Sequence, residues 1–495
     1  MTSQATVHGL LERNARKYLT EEAFVTPTSR LSYSQVNAFA NQIAHYLKNS
    51  GVGSGERILI LSRNNEQFLF SFFGVLKIGA IVAPINTRLT KEELVQVLMN
   101  IGAVGILYEA SFSTMIHELN HAISTIWMHC IQNILQFQHH LPTSNLDLPI
   151  RAEDPCEILF TSGTTGTPKA VLFSHDRLRN LAAAICVEFH ITRSDKLLTL
   201  MPLTHSAPLN CFFLSGIYAG SSHVIADFSP QLFLQSIQSE HSTITFAAPI
   251  GYILAAKELN VQSFDLSSVR VFAYGGGSLA STAYIQIKSA FQSDRFYQVY
   301  GLTEAGPNGS FLSPDEHLAK AGSIGMHPTL NMELRVVRDD GTDVSSGERG
   351  EIILAGDTLM LGYYHALHGI SEVTDHGWLK TGDIAYRDEE GYVFIVDRKK
   401  DIIISGGVNI YPREIEEVLS SHPAVTEACV VGVPNDEWGE TVKAVVVLNK
   451  SVTEQELRTH VASSLADYKC PRIYQFVPEL PRNANGKVLK NDLKK

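Results

Sequence analysis

FTSGTTGTPKAVLFSH, residues 160–175, is the stretch on which the reading of this chain turns. It continues an apolar run at 158–160 that has the look of a buried strand. In Thr161-Ser162-Gly163-Thr164-Thr165-Gly166-Thr167-Pro168-Lys169, glycines let backbone N–H groups turn inward, hydroxyls add donors and a lysine supplies charge. Those are the parts of an anion cradle. The loop is not a Walker A sequence, because the second glycine is not followed by Lys-Ser/Thr at the required spacing. A Ser/Thr/Gly loop standing alone is more often just a loop, so its surroundings have to decide.

Outward from the loop the rhythm is α/β. Residues Arg57–Leu61 read as a buried strand, 66–77 as an amphipathic helix and 80–84 as the next strand. The alternation runs to about Ser293 and predicts largely parallel sheets covered by helices. The segment 129–149, rich in Gln, His and Asn, reads as a connector. From Asn331 the texture shortens, with strands expected at 333–337, 351–354 and 392–396 between Gly, Asp and Ser turns. This makes a small β subdomain at about 325–398. Asp397-Arg398-Lys399-Lys400-Asp401 is a charged joint and the best domain boundary, dividing 1–398 from 399–495. Beyond it, Pro412 opens a helix at its first turn, 425–433 and 442–448 read as strands, and Thr453 with Glu456 makes a capping box. The expected class is α/β: a large N-terminal domain of two helix-covered sheets plus the β subdomain, with a small mobile α+β C-terminal lid domain.

Length and composition agree with that plan. At 495 residues the chain exceeds one compact core. It is 44% hydrophobic and 18% charged, an ordinary globular mix with no signature of disorder. Its 51 acidic and 40 basic residues give a formal net charge of −11, which argues against a general nucleic-acid binder and suits a soluble cytosolic enzyme. Any anionic ligand must then be held by local positive groups. Cys130, Cys156, Cys186, Cys211, Cys429 and Cys470 are scattered singly, so neither a zinc ribbon nor a disulfide framework is indicated. The N-terminus carries Glu12, Arg13, Arg16 and Lys17 in a helical pattern without an apolar core segment, unlike a signal peptide. The greasiest stretch, 68–82, is broken by Lys77 and two glycines and is too short to span a bilayer.

The loop's context resolves its reading. FTSGTTGTPKAVLFSH resembles the phosphate-loop signature of the adenylate-forming superfamily, which contains acyl-CoA synthetases, peptide-synthetase adenylation domains and beetle luciferases. Four more signatures follow in that family's order: Tyr300-Gly301-Leu302-Thr303-Glu304, Gly377-Trp378-Leu379-Lys380-Thr381-Gly382-Asp383, Asp397-Arg398-Lys399-Lys400-Asp401 and Asn485-Gly486-Lys487. The resemblance covers essentially the whole chain. It implies that a carboxylic acid is joined to AMP and then to coenzyme A.

Such a reaction sets physical demands. A carboxylate and ATP repel each other, so activation needs charge neutralisation and in-line positioning at the α-phosphate. The resemblance implies that Thr161, Ser162, Gly163, Thr164, Thr165, Gly166 and Lys169 hold the β- and γ-phosphates. It implies that Glu304 binds Mg²⁺, a hard cation that prefers carboxylate and phosphate oxygens. Thr303 would touch the α-phosphate, and Tyr300, with Gly301, would lie against the adenine beside Gly275-Gly276-Gly277. Asp383 would accept the ribose hydroxyls with Arg398 nearby. Lys487 would bridge the acid's carboxylate and the α-phosphate. The lid would turn about Lys400, so that the loop with Gly406 and Gly407 lines a pantetheine channel.

The same resemblance narrows the substrate. An acyl pocket should draw on His205, Ser206, Ala207, Tyr252, Gly275 and the stretch from Gly306 to 311. No aspartate stands near position 206 to hold a substrate ammonium, so amino-acid activators are disfavoured and fatty or short aromatic acids favoured. Only eight residues follow Lys487, without a carrier-protein serine motif, so a stand-alone enzyme with CoA as acceptor is expected. The alternative is an acyl-AMP ligase delivering to a carrier protein. Ala170 departs from the family's usual glycine after the lysine. A remote alternative is a zinc peptidase on His117-Glu118-Leu119-Asn120-His121, which matches H-E-x-x-H; no glutamate between 122 and 151 could serve as third ligand, although His129, His139 and His140 could.

Overall fold

The phenylalanine-rich segment that is too short for a membrane forms helix Glu66–Leu76, buried along nearly its whole length. Asn65 caps it, accepting a hydrogen bond from the Phe68 N–H. The helix packs against helix Tyr33–Asn49 and strand Ile81–Pro84. Lys77, which ends it, is 1% exposed and meets the carboxylate of Glu12 at 2.6 Å. This buried ion pair fastens the N-terminal helix Val7–Lys17, and burial lowers the Lys77 ammonium to about 8 against the upward pull of Glu12. No helix among the described residues is long and apolar enough to cross a membrane.

The computed structural model describes residues 5–123, 126–137, 140–161, 168–277, 279, 281–371, 374–482 and 488–494, without the side chains of 120–122 and 137. Contacts divide it into two compact units, 1–334 with 354–379, and 335–353 with 380–495. Among the described residues the first unit has two eight-stranded sheets. One runs Gly369–Ser371, Gly362–His365, Lys169–Ser174, Pro155–Thr161, Ile81–Pro84, Arg57–Leu61, Gly105–Tyr108, Trp127–Cys130. Its last five strands are parallel and its first three pairings antiparallel. The other runs Ser310–Leu312, Phe296–Tyr300, Val271–Gly275, Ile244–Ala247, Lys196–Thr199, Ser222–Ile225, Glu22–Val25, Arg30–Ser32, parallel except at its two edges. The expected helix-covered, largely parallel sheets are therefore present.

One local expectation is corrected. The start of the supposed connector 129–149 is structured: Trp127–Cys130 is an edge strand and Ile131–Phe137 a helix. His129 faces Tyr46 edge-on, so the polar-looking segment carries side chains that pack.

In the second unit, strands Val425–Asn435 and Gly439–Leu448 pair antiparallel, flanked by Ile403–Ser405 and Ile473–Phe476. Helices Pro412–Ser420 and Glu454–Ala462 cover this sheet around Ile403, Ile415, Leu419, Val430, Ala444 and Leu457. Proline stands at the start of the first helix, and the Thr453–Glu456 capping box is formed at the second. A five-stranded sheet that includes Met332–Val337, Arg349–Gly356, Trp378–Arg387 and Val393–Arg398 makes the small β region. Residues 335–353 and 380–398 of it group with the C-terminal part of the chain. Strand Gly362–His365 instead joins the first large sheet by pairing with Lys169–Ser174.

Candidate active site

The loop that opened the argument closes a β-hairpin. Strands Pro155–Thr161 and Lys169–Ser174 are antiparallel, with Thr161 opposite Lys169. Pro168 lacks the N–H needed to continue the ladder, which helps set where the second strand begins. The cradle residues Ser162, Gly163, Thr164, Thr165, Gly166 and Thr167 lie outside the described residues. Their two anchors do not. Lys169 is exposed, and its Nζ stands 4.6 Å from the centre of the Tyr363 ring.

Around those anchors the first unit gathers the acidic group. Thr303–Ala305 is a single 3₁₀ turn. The Glu304 Oε1 accepts a hydrogen bond from the Tyr363 hydroxyl at 2.8 Å and a long one from the Thr161 hydroxyl at 3.5 Å. The Glu304 carbonyl also accepts the Met360 N–H at 2.9 Å. Burial and the neighbouring Glu304 carboxylate push the Tyr363 phenol well above its ordinary range, so it remains a donor. A carboxylate, a threonine hydroxyl and a lysine thus stand near the strand ends Thr161 and Lys169. The donor set is oxygen-based and suits a hard dication next to phosphates.

The third corner comes from 205–213. Residues Ala207–Phe213 form a π-helix, and the Ser206 hydroxyl before it lies 2.9 Å from the Thr303 hydroxyl. Cys211 on that helix directs its Sγ to the carbonyls of Gly306 and Pro307 at 3.7 and 3.4 Å, behind the Glu304 turn. His205 is half-buried, and burial together with the Arg88 charge holds its imidazole below the usual range and so neutral. π-Helical turns inside proteins often mark functional positions.

The remaining nucleotide and acyl candidates divide. Tyr300 is buried at the end of strand Phe296–Tyr300. Gly301 follows where a Cβ would stand 2.4 Å from the Pro307 carbonyl carbon, so backbone passes backbone without room for a side chain. Gly275 ends the adjacent strand, and Gly276 and Gly277 are exposed beyond it. Tyr252 belongs elsewhere. It is 0% exposed in the core with Phe233, Phe272, Phe291 and Phe296, its hydroxyl donating to the Ala273 carbonyl at 2.8 Å. Full burial among these rings is at odds with the expected place in an acyl pocket; on helix Pro249–Ala256 Tyr252 lies on the buried face with Gly251 and Ala255.

In the second unit Asp383 and Arg398 are directly opposed across an antiparallel pair, with Nε and Oδ1 2.6 Å apart. Asp383 is nearly buried while Arg398 is half exposed. Lys400 lies in the turn Lys399–Asp401 and is exposed. Lys399 beside it reaches Asp339 and Glu351 at 2.9 and 3.1 Å. Gly406 and Gly407 form a two-residue hairpin loop between Ser405 and Val408, with φ of +57° and +81°. Two positive φ values in succession are what such a turn demands, which explains the glycine pair without reference to a ligand. Lys487, with Asn485 and Gly486, lies outside the described residues. The chain on either side is held by a bridge between Arg482 and Val488 and by the Leu489 N–H to the Pro481 carbonyl at 2.8 Å.

The H-E-x-x-H match falls on helix Ser113–Ala122, where His117 and Glu118 are exposed and the His121 side chain is outside the described set. Among the described residues no three His, Cys, Asp or Glu side chains converge as metal ligands. Sequence reasoning missed Tyr363. Its signal was one tyrosine in Gly362-Tyr363-Tyr364, about two hundred residues from Thr161, and nothing in that spacing names a partner.

Comparison with known proteins places this geometry. Residues 11–364 match the AMP-binding enzyme family and residues 414–487 the AMP-binding enzyme C-terminal domain. The long-chain-fatty-acid–CoA ligase FadD13 of Mycobacterium tuberculosis is 33% identical over 96% of this chain and 95% of its own. A feruloyl-CoA synthase of an Amycolatopsis species is 33% identical over 94% of each. The o-succinylbenzoate CoA synthetase of Bacillus subtilis, solved with its acyl-adenylate intermediate, superposes with a TM-score of 0.89 at 29% identity, covering 98% of both chains. Five ordered motifs, two family domains and a shared fold carry one conclusion: the chain belongs to the AMP-binding enzymes of the adenylate-forming superfamily and is a ligase of that family.

Proposed function

We propose that this protein is an ATP-dependent acid–CoA ligase acting on a medium- or long-chain fatty acid. In the first step a carboxylate oxygen attacks the α-phosphorus of ATP, giving an acyl-adenylate and pyrophosphate. In the second the thiol of CoA attacks the acyl carbon, giving a thioester and AMP. The observation that carries the reading is the Glu304 carboxylate, held by Tyr363 and flanked by Thr161 and Lys169 at the base of the Ser/Thr/Gly loop. Oxygen donors and a cation at one loop mouth suit a metal-bound polyphosphate.

The division of labour follows from the groups present. Loop hydroxyls and N–H groups with Lys169 would hold the β- and γ-phosphates. Glu304 would hold Mg²⁺, which when bound offsets phosphate charge. Thr303, fixed by Ser206, would reach the α-phosphate. Tyr300 and Gly275 to Gly277 would take the adenine. Asp383 would accept the ribose hydroxyls, aimed by Arg398. Lys487 would stabilise charge building between the carboxylate and the α-phosphate. The chain would turn at Lys400 between the two steps, bringing Gly406 and Gly407 to the pantetheine arm.

Similarity to a long-chain-fatty-acid ligase and the neutral His205–Ser206–Ala207 wall support a fatty acid. Equal similarity to a feruloyl-CoA synthase makes aromatic acids the second class to test. Purified protein with ATP, Mg²⁺ and a panel of fatty, aromatic and hydroxy acids should release pyrophosphate, and adding CoA should yield the thioester by mass spectrometry. Lys487→Ala should abolish adenylate formation while sparing thioester formation from a synthetic acyl-adenylate. Loss of both steps to the same extent would count against the assigned role of Lys487.

A further inference from the structure

Glu157 sits within the sheet, four residues before Thr161. It lies between the strands Ile81–Pro84 and Lys169–Ser174, opposite Val82 and Phe173, and is fully buried. Its Oε1 accepts a hydrogen bond from the Asn210 amide Nδ2 at 2.7 Å. Asn210 is also fully buried, on the π-helix Ala207–Phe213. Two atoms of this pair have no partner among the described residues: the Glu157 Oε2 and the Asn210 Oδ1. Both are acceptors if the carboxyl is ionised, and two acceptors at 0% exposure would each go unsatisfied. A single proton removes both faults. Placed on Oε2, it makes an O–H donor for the amide oxygen, and the two planar groups then exchange two hydrogen bonds.

We propose that Glu157 is a neutral carboxylic acid paired with the Asn210 carboxamide, and that this acid–amide clasp positions the strand ending at Thr161 against the π-helix that follows Ser206. Along a strand, residues two apart share a face, so Glu157 and Thr161 present their side chains on the same side. Asn210 stands one helical turn beyond Ser206. The clasp is therefore a floor joining two elements whose ends carry Thr161, which reaches Glu304, and Ser206, which reaches Thr303. The pairing stands on its own geometry, while its effect on turnover rests on the ligase reading.

The electrostatic surroundings agree. Burial raises the Glu157 carboxyl to about 8, against the smaller lowering by the Asn210 N–H. The nearest titratable groups along the chain are Cys156, which alternates to the opposite face of the strand, and Cys211 beside Asn210 on the π-helix, both with thiols pushed up by burial. At the end of the neighbouring strand stand Asp176 and His175, the latter held at about 4 and so neutral. Strand Ile81–Pro84 contributes no titratable side chain. No cation stands among these groups to hold a carboxylate charge.

Glu157→Gln tests the clasp, because a glutamine amide forms the same two hydrogen bonds and cannot ionise. Melting temperatures of both proteins are measured without substrate from about pH 5 to about pH 9. In the unfolded chain Glu157 ionises near 4.5, and in the fold near 8. Its stabilisation of the wild type is complete below the lower value and is lost progressively up to the higher one. The variant should therefore gain on the wild type by several degrees between these limits, the gap levelling above them. A gap that stays flat across the range overturns the neutral acid. For the positioning role, pyrophosphate release with the best acid of the panel is followed against pH. Between pH 7 and 9 the wild type should lose about tenfold as the clasp ionises, with Glu157→Leu impaired throughout and Glu157→Gln restoring activity with its alkaline limb moved upward. Coincident alkaline limbs in wild type and Glu157→Gln refute the positioning role. Should no acid release pyrophosphate, the ligase reading fails, while the melting comparison still decides the clasp.

Discussion

A carboxylate that accepts from a tyrosine, and stands beside a threonine hydroxyl and near a lysine, is placed to offer oxygen to a hard cation. That is the situation of Glu304. Replacing it by glutamine keeps the shape and the Tyr363 hydrogen bond but exchanges an anionic oxygen for a neutral one, a poorer ligand for a hard dication. Glu304→Gln should raise the Mg²⁺ concentration for half-maximal pyrophosphate release roughly tenfold or more. Superimposable Mg²⁺ titrations for the two proteins would take the metal away from this residue. Glu304 stood out in the sequence because four other residues of a motif came with it. Tyr252 carried no such signal: its helix Pro249–Ala256 is apolar on every side, so nothing in the sequence showed which face turns to the core. Glu157 was equally silent: one acid ahead of an apolar run reads as the polar edge of a strand, and only the register against Val82 and Phe173 makes it interior.

At the scale of elements, local pattern was a good guide where a segment's partners are near in sequence. Strand Arg57–Leu61, helix Glu66–Leu76, the Pro412 helix start and the Thr453 capping box are all set by their own residues and immediate neighbours. What stayed hidden was long-range pairing. Gly362–His365 pairs with strand Lys169–Ser174, nearly two hundred residues earlier, and no periodicity in either segment announces it. The N-terminal helix is another case, since its attachment depends on Glu12 finding Lys77. Removing one member leaves the other charge buried and uncompensated. Glu12→Ala should therefore destabilise the protein by about 3–5 kcal/mol, read as a lower urea midpoint. A shift below about 1 kcal/mol, the level of surface pairs, would mean that Lys77 finds water or another partner.

For the molecule as a whole, two-step chemistry asks the chain to serve an adenylating and a thioesterifying arrangement with one set of atoms. The charged joint stood out in the sequence because polar residues interrupt two apolar textures there, although residues 335–353 and 380–398 ahead of it group with the C-terminal part of the chain. Lys400, in a one-turn 3₁₀ segment and exposed, has backbone freedom that proline would take away by fixing φ near −65°. Lys400→Pro should leave pyrophosphate release largely intact and cut thioester formation by at least tenfold, as expected when a hinge is held in one state. Parental rates in both half-reactions would put the pivot at another residue, with Asp397 and Asp401 next to be tried.

The six cysteines carry a last consequence, one of chemical selectivity. An acyl-adenylate is a mixed anhydride and acylates any thiolate it meets, and CoA delivers its own sulfur to the same place. A protein that makes such a compound has reason to keep its own sulfur out of the contest. Five of the six thiols are buried and Cys186 is half-buried. Burial pushes Cys186 and Cys429 up to about 12, and Cys156, Cys211 and Cys470 upward as well. Since the thiolate is the nucleophile, these side chains are chemically quiet at neutral pH. The folded protein should react with a thiol-specific chromogenic reagent slowly and at one site at most, and at all six after denaturation. Kept with ATP and acid but without CoA, it should gain no acyl mass; a protein that acylates itself under those conditions would have a cysteine open to its own product.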